Sequence, residues 1–323
     1  MTSMLDIFRA LADLTRLRIV HLLRAMELSV GEVAQLLAQS QPRVSRHIRI
    51  LVETGIVERR KEGNWVFLRI GKAQIYRDLM ALFDGADSAD NEALWLKADL
   101  ARLAAVRADR ARAADLYFAR HAEEWDAIRS LYVAEAQVEA AMQAIIGAGP
   151  IGRLLDIGTG TGRMLQLFGP QASQVTAIDR SPDMLRLARA KLPEQDADKY
   201  ALVLGDFSAL PFEGASADLV IVHQVLHYAQ APDQAIAEAA RVLADAGRLL
   251  VADFAPHERE DLRVQDQHTR LGFSDGQISE WFAAAGLTME RLETLPGGEL
   301  TVKLWLGRRA TIPPLPIKGQ KKS

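Results

Sequence analysis

Arg153-Leu154-Leu155-Asp156-Ile157-Gly158-Thr159-Gly160-Thr161-Gly162-Arg163-Met164-Leu165 decides the fold of this 323-residue chain. Leu154 to Ile157 predict a short apolar strand carrying a carboxylate at its end. Three glycines at alternate positions follow, and the pattern then re-enters an amphipathic helix running toward Phe168. Glycine opens backbone conformations closed to other residues and lets a ligand approach the main chain, while the helix start beyond it offers unpaired N–H donors. The stretch therefore predicts a nucleotide-type cradle. A dinucleotide fingerprint needs a small residue at its third conserved place, where helix and strand pack tightly. Counting from Gly158, that place holds Arg163.

Downstream, Val175-Thr176-Ala177-Ile178-Asp179 predicts a second strand whose carboxylate lies 23 residues beyond Asp156. In a doubly wound sheet an acid there reaches the vicinal hydroxyls of a ribose lying over the glycines. Asp179 also precedes Ser181-Pro182-Asp183-Met184-Leu185, the start of a helix, so a role at that helix start stays open beside the first. Ala201 to Leu204 predicts a third strand ending in Gly205-Asp206-Phe207. Ala217 to Val222 predicts a fourth, almost continuously apolar as expected of a strand covered on both faces, which delivers His223 and Gln224. Leu226-His227-Tyr228, a helix with Glu238 and Arg241, a turn at Ala246-Gly247 and a strand Arg248 to Asp253 follow. A helix from Gln277 to Ala285 then leads to Leu287–Glu293 and Thr301–Gly307, an antiparallel pair joined across Pro296-Gly297-Gly298.

Asp156-x-Gly158-x-Gly160-x-Gly162 resembles motif I of class I S-adenosylmethionine-dependent methyltransferases. The ordered series after it is similar to the ubiquinone/menaquinone-biosynthesis type that acts on small molecules, from about Tyr117 to Arg308. The resemblance implies an α/β Rossmann-like domain over 147–310 with a seven-stranded, mostly parallel sheet, S-adenosylmethionine as cofactor and S-adenosylhomocysteine as product. It implies cofactor contacts from Asp156, Gly158, Thr159, Gly160, Gly162, Asp179, Arg180, Met184, Gly205, Asp206, Phe207 and His223, with Asp206 accepting from the adenine amine. Asp245-Ala246-Gly247 stands where many members have Pro-Gly-Gly, a departure confined to a turn. Tyr117-Phe118-Ala119, Ala122 and Trp125-Asp126 resemble the segment that precedes motif I and lies across the cofactor, which adds Tyr117 and Trp125 as contacts. Phe118 and Trp125 are also seven apart, the spacing of a packed helical face, and both readings stand.

Toward the amino terminus, Leu5 to Met26 predicts two helices. Ser29 with Glu32 makes a capping box opening a short helix through Leu37. Ser40 is a second N-cap, with Pro42 in the first turn where its missing N–H is tolerated. Between Gln41 and Glu53, Val44, Ile48, Leu51 and Val52 form one apolar stripe. The other face shows Gln41, Arg43, Ser45, Arg46 and Arg49, side chains suited to base edges and phosphates. Gly55 ends the helix, and Ile56–Lys61 pairs with Trp65–Ile70 across Glu62-Gly63-Asn64, a hairpin with Arg59, Arg60 and Lys61 near its tip. A helix-turn-helix followed by a basic hairpin is a winged helix. Leu11-Ala12-Asp13-x-Thr15-Arg16-Leu17-Arg18-Ile19, Ser40-Gln41-x-x-Val44-Ser45-x-His47 and Gly55-Ile56-Val57 resemble the ArsR/SmtB family over the first quarter of the chain. That resemblance implies a dimeric repressor domain, 1–83, that binds a double-stranded DNA operator through Ser40, Gln41, Arg43, Ser45, Arg46, His47, Arg49, Arg59, Arg60 and Lys61. Its metal-sensing members carry Cys-Val-Cys where this chain has Ser29-Val30-Gly31.

The charge distribution agrees. Met1 to Phe83 holds 13 Lys/Arg against 8 Asp/Glu, within a chain of net charge −3, so a positive excess sits where a polyanion would bind. Cysteine is absent, which excludes disulfides, thiolate metal sensing and the cysteine-dependent methylation of arsenite. No apolar run approaches the ~20 residues of a membrane span, and Met1 to Arg9 lacks the features of a signal peptide; the expected compartment is the cytoplasm. Residues 84–146 predict a charge-rich helical connector whose apolar stripe serves dimerisation or cofactor covering, and 311–323 a disordered tail. For methyl transfer the protein chiefly aligns an acceptor and excludes water. His223, His227 and Tyr228 are the candidate catalytic residues, with His257 and His268 also able to approach the same sheet edge. His223 and His227 have helical i,i+4 spacing but no third ligand, so no metal is expected. No Asn-Pro-Pro-Tyr acceptor motif follows the fourth strand. Two functions fit: a small-molecule methyltransferase joined to its regulator, or a methyltransferase fold that senses S-adenosylmethionine or S-adenosylhomocysteine and controls DNA binding.

Overall fold

The computed structural model describes residues 4–25, 27–62, 65–71, 95–105, 118, 120–122, 134–192, 198–297 and 299–310. The chain forms two compact units, one of Met1–Leu116 with Glu258–Leu271, the other of Tyr117–His257 with Gly272–Ser323.

The first unit opens with α1 (Met4–Leu11), α2 (Leu14–Ala25) and the short strand β1 (Leu28–Ser29). α3 (Val30–Leu36) starts at the predicted capping box. Ser29 Oγ accepts the Glu32 N–H at 3.3 Å and the Glu32 carboxylate accepts the Ser29 N–H at 2.7 Å, so two otherwise orphaned donors are satisfied reciprocally. α4 (Gln41–Glu53) begins at Ser40, but the Ser40 side chain makes no cap hydrogen bond; Pro42 in the first turn removes one of the donors a cap would serve. Val44, Ile48 and Leu51 are fully buried, as the stripe requires. Gly55 turns the chain at φ +77°. β2 (Val57–Glu62) pairs antiparallel with β3 (Trp65–Ile70), with Glu62 opposite Trp65, so β2 starts and ends one residue later than the sequence predicts while β3 has the predicted bounds. β1, too short to carry a periodic signal, pairs with the other edge of β3. Residues 95–105 form a further helix, α5. Asp99, buried on it, receives Arg18 of α2 through two bonds of 2.6 and 2.7 Å, and Leu103 enters the same apolar core as Val44 and Ile48. Residues 73–83 lie outside the described residues, as do most of the connector and the tail.

The second unit is a seven-stranded sheet. α6 (Glu135–Ile146) precedes β4 (Gly152–Ile157), which is followed by α7 (Arg163–Phe168), β5 (Ala172–Asp179), α8 (Pro182–Ala190), β6 (Tyr200–Leu204), β7 (Ala217–His223), α9 (Pro232–Val242) and β8 (Leu243–Phe254). After β8 the chain contributes α10 (Asp261–Gln265) to the first unit, then returns as α11 (Asp275–Ala284), β9 (Leu287–Pro296) and β10 (Thr301–Arg309). The strand order is β6-β5-β4-β7-β8-β10-β9, with β10 antiparallel to both neighbours and the first five strands parallel. This is the predicted doubly wound sheet with an antiparallel closing pair. The expected turn at Ala246-Gly247 appears inside β8 as an excursion: Ala217 pairs with Leu243 while Leu219 pairs with Arg248, and Ala246 takes φ +58°. Successive strands run outward from β4 on one side and then from β7 on the other, so the strand order reverses at β4/β7. In open parallel sheets that crevice, at the carboxyl ends, is where ligands bind.

Candidate functional site

The glycine turn sits at this switch point. Parallel register sets Ile157 beside Ile178 and Val222, and Asp179 beside Leu204, which brings the ends of β4 to β7 to one edge. Gly158, Gly160 and Gly162 have φ of +68°, +53° and +83°, conformations that L side chains rarely adopt. Two of these glycines are also fixed by space. A Cβ on Gly158 would drive into the Val225 side chain, and one on Gly162 would stand 3.0 Å from Ala188 Cβ of α8. The N–H groups of Gly158 and Thr159 both bond to Ile178 O, at 2.8 and 3.1 Å. The turn is thus pinned to the end of β5.

Asp179 completes it. One carboxylate oxygen accepts the Gly160 N–H at 2.8 Å and the other the Ser181 N–H at 2.9 Å, while the Ser181 side chain caps α8 through Met184 N–H at 3.3 Å. Asp179 thus fills the helix-start role and also braces the glycine turn. Burial pushes its carboxyl above the ordinary range, opposed by N–H donors from Ser181, Gly160 and Arg180. Arg180 lies 3.5 Å from Asp206, and Asp206 accepts Ser208 N–H and Oγ at 2.8 and 2.7 Å, which leaves it half-exposed at the end of β6. Gly205 N–H bonds to Asp179 O at 2.9 Å, and a Cβ on Gly205 would crowd Ile178. Phe207 packs beside the sheet core. Asp156, Thr159 and His223 are buried at the same edge.

Met184 is buried with Ala122 against Phe118, Leu187 and Tyr228, and the Phe118 and Tyr228 rings meet edge-on at 4.9 Å. Tyr117 and Trp125 lie outside the described residues. Of the three candidate catalytic groups, His227 has the most defined setting. Its Nδ1 lies 2.8 Å from Asp253 Oδ1 and its backbone N–H donates to Asp253 Oδ2 at 3.2 Å, with both side chains almost wholly buried. Its ring packs on Tyr228 at 4.1 Å and Phe254 at 5.1 Å. The sequence offers no local signal for this pair, because the two residues are 26 apart on different elements. Arg163 likewise finds a distant partner, Glu139 of α6, at 2.7 Å. Among the described residues no group of acidic and histidine side chains could hold a metal ion.

On α4, Ser40, Gln41, Arg43, Arg46 and Arg49 are exposed together and Ser45 is half-exposed. His47 turns aside, its Nδ1 3.5 Å from Asp13. Arg59 is exposed on β2, and the side chains of Arg60 and Lys61 lie outside the described set.

A pinned glycine turn at the switch point of such a sheet, with a basic recognition helix and wing in the other unit, defines a winged-helix regulator joined to a class I methyltransferase domain. Comparison with known proteins agrees. Residues 13–59 match the family model described as bacterial regulatory protein, arsR family, and residues 155–251 the methyltransferase domain model. The arsenic resistance transcriptional regulator ArsR1 of Pseudomonas putida is 39% identical over 99 residues, 30% of this chain and 75% of that protein. A malonyl-acyl-carrier protein O-methyltransferase of Methylococcus capsulatus is 33% identical over 152 residues, 45% of this chain and 54% of its own. A demethylmenaquinone methyltransferase of Renibacterium salmoninarum is 34% identical over 110 residues, 34% of this chain and 44% of its own. The chain thus spans about half the length of these methyltransferases. The solved YcgJ protein of Bacillus subtilis superposes with a TM-score of 0.49 at 19% identity, covering 55% of this chain and 99% of that one. The chain belongs to the ArsR family, here with an S-adenosylmethionine-dependent methyltransferase domain fused to the regulator domain.

Proposed function

We propose that this protein is a DNA-binding transcriptional regulator whose carboxyl-terminal domain binds S-adenosylmethionine and transfers its methyl group to a small molecule, leaving S-adenosylhomocysteine. The observation that carries the reading is the glycine turn braced by Asp179. Glycine lets a ligand approach the main chain closely, and in such a sheet a carboxylate at this strand end is placed to accept from ribose hydroxyls. In this reading Asp156, Gly158, Thr159, Gly160 and Gly162 form the floor, Asp179 and Arg180 orient the ribose end, and Gly205, Asp206 and Phe207 hold the adenine. Met184 and His223 border the site, with Tyr117 and Trp125 as covering residues. The bound cofactor supplies a methyl group already activated on a sulfonium. The chain's own residues align the acceptor and exclude water. His227, oriented by Asp253, can take a proton from an acceptor that carries one, with His223 and Tyr228 beside it.

Supporting the DNA reading, Arg43, Arg46 and Arg49 share one exposed face of α4, and the protein acts on a double-stranded operator in the cytoplasm. Among the described residues no helix is long and apolar enough to cross a membrane. Met4, Leu5 and Phe8 on α1 are about half exposed, an apolar surface that homodimer formation would cover. Catalysis is tested by incubating the protein with methyl-labelled cofactor and cell extract: transfer of label to a small molecule is expected, and label that stays on the cofactor would refute methylation.

A further inference from the structure

We propose that Gln224 is a specificity-determining residue whose carboxamide holds the amino-acid end of the cofactor and so separates it from adenosyl thioethers that lack that end. The inference rests on the cofactor reading above and adds a contact that reading does not contain.

Gln224 is held in an unusual conformation. Of the non-glycine residues with positive φ among the described residues, Ala38, Ala215, Ala246 and Gln267 are exposed or half-buried, whereas Gln224, at φ +50°, is buried. L side chains adopt this region reluctantly, and glutamine lacks the short polar side chain by which asparagine compensates for it. Such strain persists only where the surrounding structure fixes it, and it gathers at ligand sites. Here the flanks are fixed. The Gln224 N–H donates to Ala252 O at 2.7 Å, and the next residue, Val225, stands where a Cβ on Gly158 of the glycine turn would be.

The side chain is not used by the fold. Gln224 is 8% exposed, and among the described residues its carboxamide makes no hydrogen bond. A buried amide that the protein leaves unpaired is met by solvent or by a ligand.

Strand order says which part of the ligand. Passing from β6 to β5 to β4 to β7, the edge presents Asp206, Asp179, the glycine turn and then Gln224. A ligand whose adenine and ribose take the first two leaves the chain beyond its sulfur, with an α-ammonium and a carboxylate, for the end of β7. Neither residues 157–162 nor residues 223–228 include a lysine or an arginine, so neutral donors meet the carboxylate at these two strand ends. A carboxamide offers two N–H donors to it and a carbonyl oxygen to the ammonium.

The test is calorimetry on the full-length protein with two probes, S-adenosylhomocysteine and 5′-methylthioadenosine, which is an adenosyl thioether without the amino-acid end. Gln224→Gly removes the carboxamide and relieves the strain, so its thermal unfolding is expected at or above the native temperature. Gln224→Glu keeps the shape but replaces donors with a charge that repels a carboxylate. Each variant should bind S-adenosylhomocysteine at least about tenfold more weakly, as loss of a hydrogen bond to a charged group implies, with affinity for 5′-methylthioadenosine unchanged. Unaltered S-adenosylhomocysteine affinity in both variants overturns the proposal, and so does an equal loss for the two probes, which would mark Gln224 as structural only. A native protein that binds both probes equally also overturns it but leaves the adenosyl reading standing; a native protein that binds neither overturns both.

Discussion

Arg163 stands where a dinucleotide turn needs a small residue, and here the guanidinium leaves the turn to pair with Glu139 on α6. Asp179 is the residue most exposed to test. Replacing it with Asn removes the charge that strengthens hydrogen bonds from ribose hydroxyls, and such bonds contribute about 1.5–3 kcal/mol each, so Asp179→Asn should weaken S-adenosylhomocysteine binding about ten- to a hundredfold by calorimetry. Burial raises this carboxyl's pKa in the free protein, while donating hydroxyls favour its ionised form. Binding must therefore release a proton near that raised value, and affinity should fall as pH is lowered through it. Titration in buffers of different ionisation enthalpy reads that proton; a pH-independent affinity in the acid range would remove Asp179 from the ribose. Asp156, the glycines and Asp179 were legible in the sequence because strand, turn and strand end are local patterns. The His227–Asp253 pair was not, since only the sheet brings residues 26 apart together. Arg270 carried no signal either, because nothing in its neighbours distinguishes a buried arginine from a solvated one.

Among the elements, α4 joins a buried stripe to an exposed basic face, and its reading depends on helical periodicity alone. Arg46→Ala should reduce DNA affinity and, if Arg46 meets a phosphate, lower the salt slope by about one. If it meets a base edge, the loss is about 1–3 kcal/mol at one operator position with relaxed specificity there. Anisotropy over a salt series separates these, and an unchanged isotherm would remove α4 as the reader. His47 should behave differently: it faces Asp13, so its replacement should affect stability more than DNA affinity. The capping box on α3 gives an independent stability test. Ser29→Ala should lower unfolding free energy by ~0.5–2 kcal/mol, read by denaturant titration. Both helix starts were predictable, yet only Ser29 bonds through its side chain; at Ser40 the proline two residues on changes which donors need a partner. β1 and α10 escaped the sequence reading because two and five residues are too few to show a period.

At the scale of the whole molecule, the order of domains along the chain and the composition of the compact units differ in one place, Glu258–Leu271. Periodicity places this stretch between a strand and a helix of the methyltransferase sheet. Only tertiary contacts with Glu27 and Phe67 assign it to the winged-helix unit. Methyl transfer and sensing alike require the braced glycine turn to receive an adenosyl ligand. Calorimetric titration of the full-length protein with S-adenosylhomocysteine tests that most directly. The account predicts saturable binding at one site per chain, weakened by Asp179→Asn with the fold intact by circular dichroism; no saturable binding to the folded native protein would contradict it.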